Sequence, residues 1–508
     1  MMVYNEGFMS SLEQTYPEHP EDVLTQWLTW HAAGGAALVI VTGTEGGAVR
    51  SPGALMAVSS SGAIAGYISG GCIDADVALQ AENALRDGKP RRLRYGAGSP
   101  FTDLPLPCGG SIDVAILPQA DAAALKTVRD SLAARQPAQL ALEEAGGLVA
   151  DYVPKLRVRI AGRGADCLAL ARVSRAAGIS THLQLRDGED VSAAEAEGLG
   201  PVTPLETPAD IPPADDDPWT AFVLMFHDRD WEGPLLKQAL DGPAFYMGAV
   251  GSRRTHARRC EDLQKSGAAA VQIRRVRGPI GTIASMRDAS MLAVSVLSEI
   301  VGAYHDRIRH PFGDVALVLL AAGRSERFEA GDKLLAPLDG APVLSHAAQL
   351  LPDEAVAARL AVVGPDDAKR AGRLEEAGWQ PVHNLDAAKG QSTSLAAGIE
   401  AVMQTGAEAA LILLADMPHV THAHLRALVA EYRLGHSAVM SEASGVLCPP
   451  AIFDETAFEA LRRLDGDTGA KAIFGALPRT STVAMPSDEA LDIDTQSDLD
   501  RAERLAHA

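Results

Sequence analysis

Three strand-length apolar runs, each stopped by a glycine turn, constrain this 508-residue chain more than any other feature: AALVIVTGTEG at 36–46, LRVRIAG at 156–162 and VALVLLAAG at 315–323. A near-continuous apolar strand must be covered on both faces, as in a sheet lying between helices. The second and third runs are followed by helical spacing and then further short apolar runs, the order of a doubly wound parallel sheet. A single core stops growing near ~250 to 300 residues, so three runs in a chain of this length imply about three domains. The expected fold class is α/β throughout, with an N-terminal domain over 1–153, a doubly wound domain over 154–309, and a third α/β domain over 314–508.

Punctuation supports these boundaries. The Pro/Asp-rich stretch 200–218 is a loop inside the second domain, and HPFGD at 310–314 separates the helix ending AVSVLSEIV from the strand that opens the third. In the first domain, Glu21–His31 has mostly helical spacing, and 53–71 reads as two short strands around a Ser-Ser-Gly turn. DADVALQAENALRDGK is a helix opened by aspartate and closed by glycine, and SIDVAILP is a further strand.

Charge and cysteine usage narrow the function classes. The chain carries 66 acidic against 45 basic residues, a net charge of −21 spread along its length, which argues against a nucleic-acid partner. No run reaches the ~18 apolar residues of a membrane span, and the N-terminus shows no basic start followed by an apolar stretch, so a cytoplasmic, membrane-free protein is expected. Five cysteines without a CxxC pair fit neither a disulfide framework nor a structural zinc site.

The third domain carries the clearest chemistry. In LVLLAAGRSERFEAGDKLLAP a glycine-ended loop, Leu320, Ala321, Ala322 and Gly323, directly follows a strand, with Arg327 and Lys333 beyond it. Such a loop lets a polyanion approach backbone amides while the two cations neutralise it. Asp416 falls at the carboxyl end of the apolar strand LILLAD, and Asp494 at the edge of LDID. Two carboxylates completed by waters and phosphate oxygens form the hard-oxygen set that magnesium prefers.

With GQSTSLAAGI, LILLADMPHVT and LDIDTQSDLD, these motifs make residues 314–508 resemble the MobA-like nucleotidyltransferases, and within them molybdenum cofactor cytidylyltransferase. The resemblance implies a nucleotide-diphospho-sugar-transferase-like, Rossmann-like α/β fold. It also implies a nucleotide held by the LAAG loop with Ser392 and Ser394, a triphosphate met by Arg327 and Lys333, and magnesium on Asp416 and Asp494. Ala322-Gly323, where guanylyl-transferring members tend to carry Gly-Gly, implies CTP as the nucleotide. The implied acceptor is the terminal phosphate of the molybdopterin-molybdenum cofactor. Glu329–Asp332 replaces the shorter Arg-Met-Gly or Arg-Phe-Gly run of that group, and Cys448 stands near its histidine.

Two cysteines of the first domain sit among glycines, Cys72 in SGGCIDADV and Cys108 in LPCGGSIDV. Cys72 lies just ahead of a helix, whose N-terminal dipole favours a thiolate. In the second domain GAVGSRRTHARR joins a glycine turn to Arg253, Arg254, His256, Arg258 and Arg259, residues suited to phosphate. His227 and Asp228 end an apolar strand at a ligand edge, whereas AGRGADC lacks the third glycine of the dinucleotide fingerprint.

Together with VTGTEGGAVRSPGALMAV, FHDRD and GPIG, these segments resemble the XdhC/CoxI family of xanthine dehydrogenase accessory proteins, whose second half is Rossmann-like. That resemblance implies molybdenum-cofactor binding, with Cys72, Cys108, Arg253 and Arg254 as its residues. Implied partners are a xanthine dehydrogenase-like molybdenum hydroxylase, a cysteine desulfurase and a second copy in a homodimer. The expectation is thus a fusion that makes and delivers a dinucleotide cofactor, with tethering raising effective concentration to around the millimolar range. Two alternatives stand beside it: a non-catalytic cofactor chaperone, and a nucleotidyltransferase acting on a sugar or polyol phosphate.

Overall fold

The computed structural model describes residues 14–506 apart from 48, 100–108, 269, 326, 330, 352–353 and 467. They fall into two compact units, one ending at Lys155 and one beginning at Leu156.

The first unit is built on a six-stranded sheet whose centre is Ala36–Glu45, paired antiparallel with Leu55–Ser59 on one side and Ser111–Leu117 on the other. Side chains alternate across this strand. Leu38 and Ile40 pack with Val23, Leu24, Trp27 and Leu125 from the helices Pro20–Ala33 and Ala122–Ala133. Val39 and Val41 pack with Val77 and Ala81 of the helix Asp74–Asp87 on the opposite face. The edge strand Arg91–Gly96, RRLRYG, escapes a hydrophobicity reading because edge strands carry charge that discourages further pairing.

The second unit contains two larger sheets. The first is parallel throughout, in the order Val202–Pro204, Ser180–Leu185, Arg157–Gly162, Thr220–Met225, Tyr246–Ala249, Val276–Arg277. In chain order this is 3-2-1-4-5-6, the Rossmann arrangement. The helix Ala289–Arg309 covers one face through Ala293, Val296, Leu297 and Ile300.

The other sheet has seven strands and starts from an interior one, Val315–Leu320, between Ala358–Val363 and Ala409–Leu414, all three parallel. Val446–Asp454 then runs antiparallel beside Ala409–Leu414. The chain therefore leaves the central strand toward both sides, and the crevice at the carboxyl ends of Val315–Leu320 and Ala409–Leu414 is a switch point of the sheet.

The two halves of this unit meet in a polar seam. Arg479 Nη1 donates to Asp241 O (2.5 Å), Arg307 Nη2 to Arg433 O (3.4 Å), and Arg274 pairs with Glu455 (3.5 Å). Arg433 forks onto Asp314 and donates to Pro311 O (2.7 Å), fastening the connecting segment to the seam. Burial, with a smaller contribution from Glu408, pushes the Glu455 carboxyl up to about 7.

Candidate functional site

The switch-point crevice is a cleft of about 710 Å³. Its walls include Leu320, Ala322, Gly323, Arg327, Lys333, Ser394, Asp416 and Asp494, eight of the positions that the sequence marks in this domain. The strand Val315–Leu320 delivers the loop, and nothing lies within 4 Å of where a Gly323 side chain would start, leaving the backbone open to a ligand. Ser325 turns the chain with φ +56° and accepts from Lys333 N (3.1 Å) through its hydroxyl. Opposite, Gly390 starts the helix Gln391–Thr405 without a side-chain cap, and Lys389 and Gln391 also line the cleft. An uncapped helix N-terminus beside basic residues receives anions readily.

At the floor, Lys333 Nζ donates to Asp416 Oδ2 and to Asp494 Oδ1, both at 2.7 Å, and Arg327 pairs with Asp494 at 3.2 Å. Burial alone would lower the Lys333 ammonium, but Asp416 and Asp494 hold it above the ordinary lysine value. The Lys333 hydrogen bond, followed by the charges of Lys333 and Arg327, keeps the Asp494 carboxyl below the usual range, although its partial burial acts the other way. Asp492, two residues earlier, is raised by burial and by Asp416 and Asp494. The donor set fits magnesium: Asp416 and Asp494 offer hard carboxylate oxygens to one point at the floor of the cleft.

Ala321 and Ser392, also marked by the sequence, are buried rather than on the cleft wall. Ser392 N donates to Gly466 O (3.2 Å), tying the helix start to a neighbouring turn.

Sequence reading missed Arg370 and Asn384, which hold the cleft in shape. Arg370, 4% exposed, forks onto Asp332 (2.8 Å twice) and donates to Ala321 O and Gly323 O (2.8 Å each). It thus ties the glycine loop to the segment before Lys333, and Asp332, part of the acidic insert, caps the short turn Lys333–Leu335. Asn384 Nδ2 donates to Thr393 Oγ1 and Ser394 Oγ, 2.9 Å each. An arginine on the apolar face of the helix Ala368–Glu376 was the available signal for the first; Asn384 offered none.

In the Rossmann half, Arg163, Arg186, His227, Asp228 and Arg229 line a crevice of about 610 Å³ at the ends of Arg157–Gly162 and Thr220–Met225. The turn amide that would meet a dinucleotide phosphate is already used: Gly164 N donates to Asp190 Oδ2 at 2.6 Å. Arg186 pairs with Asp228 (2.9 Å). Arg253 and Arg254 are exposed on the first turn of Arg253–Lys265, apart from this crevice, while Arg259 is buried against Glu232 (2.9 Å).

In the first unit Cys72 is exposed. Asp74 shapes the turn before it by accepting from Ile68 N, Ser69 N and Gly71 N (2.9, 3.0 and 2.9 Å) and from Ser69 Oγ (2.7 Å). Cys108 lies outside the described residues.

Family models match three stretches of the chain. The model of the MobA-like NTP transferase domain matches residues 317–481, that of the XdhC Rossmann domain 158–300, and that of the XdhC and CoxI family 29–96. The chain is 32% identical over 283 residues to the molybdenum cofactor insertion chaperone PaoD of Escherichia coli (strain K12), covering 52% of this chain and 82% of the relative. It is 33% identical over 201 residues to the purine catabolism protein PucB of Bacillus subtilis (strain 168), covering 37% of this chain and 95% of that protein. Among solved structures it is similar to a xanthine dehydrogenase from Bacillus halodurans, with 20% identity, coverage of 57% of this chain and 96% of that one, and a TM-score of 0.49. Among the described residues no helix is long and apolar enough to cross a membrane. The chain belongs to the XdhC and CoxI family, with a MobA-like NTP transferase domain fused behind its Rossmann domain.

Proposed function

We propose that residues 314–508 transfer CMP from CTP to the terminal phosphate of the molybdopterin-molybdenum cofactor. Residues 1–309 then bind the cofactor and pass it to a xanthine dehydrogenase-like molybdenum hydroxylase. The observation that carries the transferase reading is Lys333 bridging Asp416 and Asp494 at the floor of a cleft rimmed by the LAAG loop and an uncapped helix N-terminus. The likeness to PaoD, a molybdenum cofactor insertion chaperone, supports the delivery half, and Ala322-Gly323 in the loop supports cytidine as the base. A cysteine desulfurase, as sulfur donor to the bound cofactor, completes the set of partners in this reading.

The reaction needs no protein nucleophile. An oxygen of the cofactor's phosphate bonds to the α-phosphorus of CTP, the bond from that phosphorus to the bridging oxygen breaks, and pyrophosphate leaves with the electron pair. The loop amides and the helix start orient the triphosphate, while Arg327 and Lys333 offset charge gathering on the leaving group. Asp416 and Asp494 would hold magnesium, which when bound supplies further charge neutralisation at the phosphate oxygens.

The test is pyrophosphate release by the purified chain with cofactor, magnesium and CTP, GTP or ATP in turn, beside Asp416→Ala. Release with CTP that falls at least ~100-fold in the variant is expected. Release with GTP instead would overturn cytidine. No release from a chain that still binds cofactor would leave delivery alone.

A further inference from the structure

A second cavity of the Rossmann half, about 540 Å³, lies between the helices Arg229–Asp241 and Arg253–Lys265 and shares only Arg229 with the crevice at the strand ends. Leu236 and Leu263, 0% and 2% exposed, form its inner wall. The Pro/Asp-rich loop supplies another wall: a bridge between Thr207 and Asp210 turns the chain so that Pro208 and Ala209 line the cavity together with Ile211. No helix or strand lies between Pro204 and Thr220, and loops of that length inside compact domains usually serve a function.

One polar group in this apolar setting is unpaired. Arg259 lines the cavity and is 3% exposed; its Nε donates to Glu232 Oε2 and its Nη2 to Val250 O, both at 2.9 Å, while the buried Nη1 meets no acceptor among the described residues. Buried donors are nearly always satisfied, and one on a cavity wall is satisfied by an occupant that brings an acceptor. Charge has the matching sign. Arg229, Lys237, Arg258 and Arg259 line the cavity against two carboxylates, in a chain whose net charge is −21. Both carboxylates are engaged, Glu232 by Arg259 and Asp262 by Arg229 at 3.5 Å, and Arg258 makes no ion pair among the described residues.

We propose that this cavity binds a small aromatic carboxylate, its ring between the two helices and its carboxylate accepting from Arg259 Nη1. A carboxylate takes a charge-assisted bond from a guanidinium, and its apolar body matches a wall of leucine, isoleucine and proline. A bare phosphate fits less well, because its oxygens call for several donors and the buried wall offers one. The volume lies within the roughly 300 to 1,000 Å³ of small-molecule sites. The site stands apart from cytidylyl transfer and from cofactor delivery, and it gives the loop and the arginine-rich helix a common purpose.

Isothermal titration calorimetry of the full chain tests this with two probes of one shape, 1-naphthoate and the neutral 1-naphthamide. Naphthoate is expected to bind one per chain, and naphthamide at least tenfold more weakly. Two variants locate the site. Gly233 lines the cavity within the helix Arg229–Asp241, and a Cβ there would meet nothing within 4 Å, so Gly233→Leu fills the space while favouring the helix. It is expected to weaken naphthoate at least tenfold without lowering the melting temperature. Arg259→Lys keeps a cation beside Glu232 and removes the unpaired donor, so the preference for naphthoate over naphthamide is expected to disappear. No binding of naphthoate at millimolar concentration, affinity indifferent to Gly233→Leu, or a preference that survives Arg259→Lys would each overturn the proposal.

Discussion

Lys333 Nζ stands 2.7 Å from Asp416 Oδ2, just beyond the carboxyl end of the strand Ala409–Leu414. With the same ammonium on Asp494, an internal cation occupies the point where the two carboxylates converge. Lys333→Met removes the competitor of a divalent metal and the partner of the triphosphate together. Nucleotidyl transfer is expected to fall about 10²- to 10³-fold. Manganese alone, titrated without nucleotide, is expected to bind the variant several-fold more tightly than the parent.

Arg370 is predicted to set nucleotide affinity through the loop it fastens. Arg370→Met leaves the partly exposed Asp332 and the carbonyls of Ala321 and Gly323 without their donor, at a cost of about 1–3 kcal/mol. Urea unfolding should show that loss. At a temperature where the variant stays folded, KM for CTP should rise more than kcat falls. An equal fall in both parameters would assign Arg370 a different role.

The seam predicts a pH dependence. Glu455 has a folded-state value near 7, above the ordinary glutamate value, so the folded chain binds the extra proton and stability declines as pH rises from about 4.5 to 7. Glu455→Gln keeps the neutral shape. The variant should match the parent near pH 4.5 and exceed it above pH 7 by about 1–2 kcal/mol, a figure discounted for the group's partial contact with solvent. Thermal melts between pH 5 and 8.5 read this directly, and a parallel decline in both proteins would remove Glu455 as its source.

Cys72 and Asp74 should separate delivery from transfer. Cys72→Ser is expected to weaken cofactor retention, and Asp74→Asn to do so indirectly by loosening the turn that it holds with four hydrogen bonds. Pyrophosphate release should stay unchanged in both. Retention equal to that of the parent in Cys72→Ser would take the thiol out of cofactor binding.

Much of this was legible in the sequence, for reasons that differ by element. The strand Val315–Leu320 and its loop announce themselves because a strand covered on both faces is apolar throughout, and a backbone that receives a ligand cannot carry bulky side chains. Asp416 is visible because a strand end fixes where a carboxylate must project. Arg370 acts by reaching across to the loop from an element distant in sequence, and Asn384 by reaching the start of the helix that follows it, and no local pattern encodes either reach. Ser392 shows the converse: it shares its motif with Ser394, yet the helix turns it inward. Arg253 and Arg254 lie exposed on the first turn of their helix, whereas Arg259, from the same string of charges, turns to the interior.

Arg433 grips the connecting segment at Asp314 and Pro311, and Arg307, Arg274 and Arg479 stitch the same joint from both sides. The two halves are therefore held at this joint by side chains as well as by the peptide through 310–313. On the function proposed above, the fusion would contribute one-to-one dosage of a cofactor maker and its carrier, not a leash along which the cofactor swings.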